Sequence, residues 1–181
     1  AAFGGLSQIF SICSETSELS RWRRGEVEEC SPELTQVLAA SKAWHATSAG
    51  AFHPAIGALR LRWLRAAAED RLPDPGELAE LVEACATLPF TVTDGRVSRI
   101  ADCSGVDLNA IAKGFIVDRA AAAAIELPGV DAVMINAAGD LRHLGDGSVL
   151  VGVDDADGPL EPAPPRWRVR LSRAGLSTSG A

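Results

Sequence analysis

Between residues 107 and 114 the chain places a carboxylate, a run of small residues and a lysine in the order Asp107-Leu108-Asn109-Ala110-Ile111-Ala112-Lys113-Gly114. The pattern reads as a strand end passing into the start of a helix, where free N–H groups and a partial positive charge face anions. Lys113 beside Gly114 could hold a phosphate, and Asp107 could bind a sugar hydroxyl. A helix-terminal charge with a solvated lysine is the plainer account of the same residues. A Walker A loop is excluded, because G-x-x-x-x-G-K-[ST] is absent and Gly114 follows the lysine. Lys42 and Lys113 are the two lysines of the chain, so each stands out among the arginines.

Three further segments could approach a ligand. Residues 48–54, Ser-Ala-Gly-Ala-Phe-His-Pro, form a small-residue bend that lets backbone come close to something, with Phe52 and His53 at its end. A lone histidine such as His53 is more often packed or solvated than a ligand. Asn136-Ala137-Ala138-Gly139-Asp140 is a second glycine-bearing bend, readable equally as a strand-exit turn. Leu176-Ser177-Thr178-Ser179-Gly180 could offer hydroxyls to a phosphate or be a Ser/Thr-rich turn. Cys13, Cys30, Cys85 and Cys103 show no C-x-x-C spacing and no paired histidines, which argues against a zinc site and for buried free thiols.

These segments need elements to hold them. Leu6, Ile9, Phe10 and Cys13 share one face of a helix, broken by residues 14–16 and followed by a helical turn at 17–20. A helix starts at Ser31-Pro32-Glu33, where hydroxyl cap, proline and acid agree, and runs to about Thr47. Helices over 56–68 and from 78 to 85 follow. Residues 90–100 form a hairpin with an Asp94-Gly95 turn. A strand near 106 leads into a helix ending at Ile125, closed by Pro128-Gly129. Strands near 131–136, 148–154 and 167–171 complete the pattern, with a Pro-rich loop at 158–165. The expected fold is α+β, helices packed on a mostly antiparallel sheet, in a single domain over 1–181.

Of 181 residues, 47% are hydrophobic and 23% charged, an ordinary globular balance. No apolar run approaches the roughly 18 residues of a membrane span. The net charge of −7 is not gathered into blocks, which argues against electrostatic binding of nucleic acid as the main function. The chain starts at Ala1 without an initiator Met, and both ends read as cut.

In order along the chain, these segments resemble the ApbE-like FAD:protein FMN transferases. Ser11-Ile12-Cys13 and Ser17-Glu18-Leu19-Ser20 are similar to the family's Ser-x-Tyr and Ser-Glu-Leu-Ser, and 48–55 to its Ser-Gly-Gly-Ala-Phe-Asp-Pro-Thr. Trp63 falls where the family often has Trp. Asp107 to Asp118 resembles Asp-Leu-Gly-x-Ile-Ala-Lys-Gly-Tyr-x-x-Asp, residues 136–140 resemble Asn-x-Gly-Gly-Asp, and 178–180 matches Thr-Ser-Gly. The resemblance implies an ApbE-like tunnelling-type fold that binds FAD and Mg²⁺, cleaves the pyrophosphate and moves FMN onto a Ser or Thr hydroxyl of a target flavoprotein. It implies that Asp107 and Lys113 contact FAD, that Ala51, Phe52, His53 and Cys13 occupy FAD-contacting positions, and that the Ala110 carbonyl is a metal ligand.

It also implies that a first strand region and a C-terminal metal-binding segment lie outside these residues, with the catalytic residues downstream of Ala181, so that the fragment alone is expected to be inactive. An extracytoplasmic, membrane-anchored location is implied in the same way. Cys13 stands in place of Tyr, His53 of an acid, Ala55 of Thr, and Asn109 and Ala138 of glycines. Those departures motivate the alternative: a diverged FAD- or nucleotide-binding module without transferase activity.

Overall fold

The structure, a computed structural model, describes residues 2–154 and 164–179. The Pro-rich loop expected at 158–165 lies mostly outside them, as does Gly180. The chain divides into two compact units, Phe3–Ala112 and Lys113–Ala181.

The first unit contains α1 (Ala2–Phe10), α2 (Glu18–Arg23), α3 (Pro32–Thr47), α4 (Gly57–Ala68), α5 (Pro75–Ala84) and the hairpin of β1 (Phe90–Thr93) and β2 (Arg96–Arg99). Its helix starts follow the caps. The Ser17, Ser31 and Asp74 side chains each accept a backbone N–H three residues on, from Ser20, Leu34 and Glu77. Pro32 and Pro75 occupy the first helical positions, where a missing N–H costs nothing. Asp94 and Gly95 both have positive φ, 49° and 72°, the backbone a tight hairpin turn requires. The core holds Leu19, Trp22, Leu34, Val37, Leu38, Phe90, Val106 and Leu108, with Trp22 edge-on to Phe90 at 6.0 Å.

Helix α6 (Asn109–Ile125) starts in the first unit and continues into the second. The second unit adds β3 (Ala132–Ala137), β4 (Asp140–Gly145), β5 (Val149–Val153), β6 (Trp167–Leu171) and β7 (Gly175–Ser177). Strand order is β3-β4-β7 in one sheet and β5-β6 in another, and every pairing is antiparallel. Val117, Ala120, Ala121, Leu141 and Leu171 are its buried apolar residues. The fold is α+β with antiparallel sheets, as the sequence pattern predicts.

Three local expectations are corrected. Cys13 lies beyond the end of α1 and is exposed, because the helix stops at Phe10. The strand expected near Val106 is absent: Val106 and Leu108 are buried as a strand would bury them, but their neighbour Asp107 gives its N–H to a loop carbonyl rather than to a ladder. The Ser/Thr-rich segment at 176–178 begins as a strand, since Leu176 and Ser177 pair with Leu141 and Asp140. Of the four free thiols only Cys103 is fully buried; burial pushes Cys30 and Cys103 up to about 12 and about 11, leaving both inert.

Candidate functional site

In the first unit, α3 ends at Thr47 and the chain reverses through Ala49 and Gly50, with φ of 51° and 86°. The Ser48 hydroxyl accepts the Phe52 N–H at 2.9 Å, and His45 Nδ1 donates to the Phe52 carbonyl at 3.0 Å. The bend 48–54 is thereby tied to the helix it leaves. The His45 and His53 rings meet edge-on, 4.7 Å between centroids. His53 Nδ1 accepts the Ala55 N–H at 3.1 Å, which leaves the ring proton of neutral His53 on Nε2. That atom is buried and has no hydrogen-bond partner among the described residues. Burial first, and the His45 ring second, hold the His53 pKa below its usual value.

A second loop lies against this bend. The Asp107 N–H donates to the Pro54 carbonyl at 2.8 Å and the Gly57 N–H to the Gly105 carbonyl at 2.9 Å. Two glycines permit the approach: a Cβ on Gly57 would sit 2.6 Å from the Gly105 oxygen, and one on Gly105 2.9 Å from the Ala55 oxygen. Cys85 Sγ adds a contact to the same Ala55 carbonyl at 3.5 Å. The sequence-predicted residues Phe52, His53 and Asp107 thus share one small region, with Ala51 exposed at its edge. The Asp107 carboxylate accepts the Asn109 N–H at 2.9 Å, satisfying one free donor at the start of α6. Ala110 is the second residue of that helix and is exposed. Among the described residues, no hydrogen bond or ring contact brings Cys13 to this group.

In the second unit Lys113 is held. Its ammonium lies 3.0 Å from Asp140 Oδ2 and 3.4 Å from the Ala138 carbonyl. Asp140 Oδ1 accepts the Ser177 hydroxyl at 2.5 Å. The turn between β3 and β4 is left-handed at both Ala138 and Gly139, φ 51° and 91°, and Asn136 caps it by accepting the Gly139 N–H at 3.2 Å. A Cβ on Gly139 would fall 2.7 Å from Thr178 Oγ1, so β7 closes over the turn. For Asp140, burial raises the pKa, but the Ser177 and Lys113 hydrogen bonds outweigh it and hold the carboxyl below its usual range.

Chemically, the first region offers a buried, neutral N–H donor beside an exposed backbone bend. The second offers an anchored ammonium able to face an anion. No group of three or more His, Cys, Asp or Glu able to hold a metal occurs among the described residues, so the Ala110 carbonyl would be a single ligand of a hard-cation site that needs several oxygens. Sequence reasoning missed two partners: His45, whose only signal was its place in the last turn of α3 eight residues before His53, and Ser177, read as part of a turn.

Antiparallel sheets with capped helices define an α+β protein. A model of the ApbE family matches residues 1–181, and the chain belongs to the ApbE family. It is similar to a FAD:protein FMN transferase of Chlamydia muridarum, 33% identical over 122 residues, which are 64% of this chain and 38% of that protein. Among solved structures it resembles the ApbE protein from Thermotoga maritima, with TM-score 0.79 at 24% identity, covering 99% of this chain and 60% of that one. The flavin transferase ApbE from Vibrio cholerae gives TM-score 0.74 at 20% identity, with the same coverage. These likenesses carry the fold. The chain spans less than two fifths of its curated relative and about three fifths of the solved chains.

Proposed function

We propose that this chain belongs to a flavin transferase that moves FMN from FAD to a Ser or Thr hydroxyl of a protein acceptor. The observation that carries the reading is the Asp107 N–H to Pro54 carbonyl bond, which sets two of the ordered motif segments side by side. In the proposed reaction the acceptor oxygen attacks the FMN phosphorus, the pyrophosphate P–O bond breaks, and AMP leaves with that electron pair. The acceptor proton passes to a base supplied outside the described residues.

The chain's own residues bind and orient. His53 Nε2 offers its N–H to an acceptor atom on the ligand, and Phe52 and Ala51 line the approach. Lys113 offsets the charge that grows on the pyrophosphate oxygens, the kind of electrostatic help that matters most where water is excluded. Mg²⁺ belongs to the same proposal, with the Ala110 carbonyl as one ligand and the rest from elsewhere in a protein of the relatives' length; it would supply Lewis acidity. The extracytoplasmic, membrane-anchored location is likewise proposed; no helix among the described residues is long and apolar enough to cross a membrane.

The full-length protein incubated with FAD, Mg²⁺ and an acceptor peptide tests the reading by mass spectrometry and AMP release. An FMN adduct appearing together with AMP is expected. Tight FAD binding with neither product would instead establish the alternative, a flavin-binding module without transferase activity, which the His53 and Cys13 positions favour.

A further inference from the structure

Lys113 has three N–H donors, and the second unit engages two of them. One meets Asp140 Oδ2 at 3.0 Å and another the Ala138 carbonyl at 3.4 Å. Among the described residues this leaves one donor with a fixed direction, where a free lysine would sweep a four-carbon stem through many rotamers. Asp140 is itself fixed. Its side chain is only 14% exposed, its other oxygen accepts Ser177 Oγ at 2.5 Å, and β4 pairs residue 140 with 177 in register. The strand that carries Ser177 also closes the 138–139 turn through the Thr178 N–H to Gly139 carbonyl bond at 3.0 Å.

We propose that Asp140 is a positioning residue for Lys113, with the Ser177 hydroxyl as its brace, so that the ammonium reaches the FAD pyrophosphate already oriented. The inference rests on the reading of Lys113 as an FAD contact. An ammonium held in place loses less rotamer freedom when the ligand arrives, which is how preorganisation raises affinity. The carboxylate also partly neutralises the charge it orients. Its net effect favours binding only because the lysine is half-exposed, where Coulomb attraction is weakened by solvent and alignment counts for more.

The test is a double-mutant cycle on FAD affinity, by calorimetry on the full-length protein, with Lys113→Ala, Asp140→Asn and the double variant. Lys113→Ala should weaken binding by about tenfold or more, the loss of one charge-assisted hydrogen bond. Asp140→Asn should weaken it severalfold, and the double variant should bind no worse than Lys113→Ala, because Asp140 acts through the lysine. Asp140→Glu, which keeps the charge, should recover part of the loss. Carboxyl NMR titration of Asp140 without FAD reads the contact independently: Lys113→Ala and Ser177→Ala should each raise its pKa. If Lys113→Ala weakens FAD binding while Asp140→Asn leaves it unchanged, or if the two losses multiply, the positioning role is refuted and the FAD contact stands. If Lys113→Ala itself leaves affinity unchanged, the FAD contact fails and the positioning proposal fails with it, whatever the titration gives.

Discussion

Gly57 decides whether two loops can touch, and Gly57→Ala sets two well-understood effects against each other. Gly57 is the first residue of α4 and its φ lies outside the left-handed region, so alanine can adopt its backbone. Helix propensity alone predicts a gain of at most about 1 kcal/mol. Sterics predict the opposite. The new methyl would sit 2.6 Å from the Gly105 oxygen and 3.2 Å from its carbonyl carbon. Both are backbone atoms, so no rotamer change relieves the clash. The loop 103–107 must retreat, at a cost of about 1 to 3 kcal/mol for overpacking. Retreat also stretches the Gly57 N–H bond to Gly105, 2.9 Å, and that bond contributes about 0.5 to 1.5 kcal/mol.

The clash outweighs propensity, and Gly57→Ala should destabilise the protein by about 2 kcal/mol, read as a lower urea midpoint at unchanged slope. FAD affinity should fall as well, because the displaced loop carries Asp107 away from Pro54. A variant as stable as the parent, or more so, would show that the two loops do not approach this closely and would remove the bracing on which the proximity of Asp107 to the 48–54 bend depends.

Two other expectations separate stability from function. Gly114 lies inside α6, and a Cβ placed there would meet nothing within 4 Å, so Gly114→Ala should stabilise by about 0.5 to 1 kcal/mol in the same denaturation experiment, yet weaken FAD binding if ligand passes over the residue beside Lys113. His53 gives a pH signature: its folded pKa lies below the usual 6.5, so the unfolded chain takes up the proton first and stability falls as pH drops from about 6.5 toward the folded value, then levels. His53→Gln should flatten that part of the urea-midpoint profile, and an unchanged profile would place the acid sensitivity elsewhere.

What the sequence made legible followed local rules. Ser31-Pro32-Glu33 specified the start of α3, and Asp94-Gly95 the β1–β2 turn, because capping and turn chemistry act within four residues. The errors fall where a distant partner decides. Val106-Asp107-Leu108 has the alternation of a strand, but its N–H goes to Pro54, more than fifty residues earlier, and no local periodicity encodes that. Leu176 and Ser177 belong to a segment that reads as a Ser/Thr-rich turn because serine and threonine favour turns in isolation, whereas β4 offered an edge that needed a partner. Ala138 is the instructive case. It adopts φ 51°, where alanine pays a cost of about 1 kcal/mol that glycine would not, and it does so at the turn whose carbonyl receives Lys113. A strained alanine persists only when its surroundings over-determine it, and here they do: the Asn136 cap on Gly139, Thr178 bonding the Gly139 carbonyl from just beyond β7 and the Lys113 ammonium on the Ala138 carbonyl all converge on two adjacent residues. The same convergence explains why Lys113 read as a solvated helix residue from sequence. Its partners come from β4 and the 138–139 turn, so the lysine's role becomes visible only once the strands are folded against the helix that carries it.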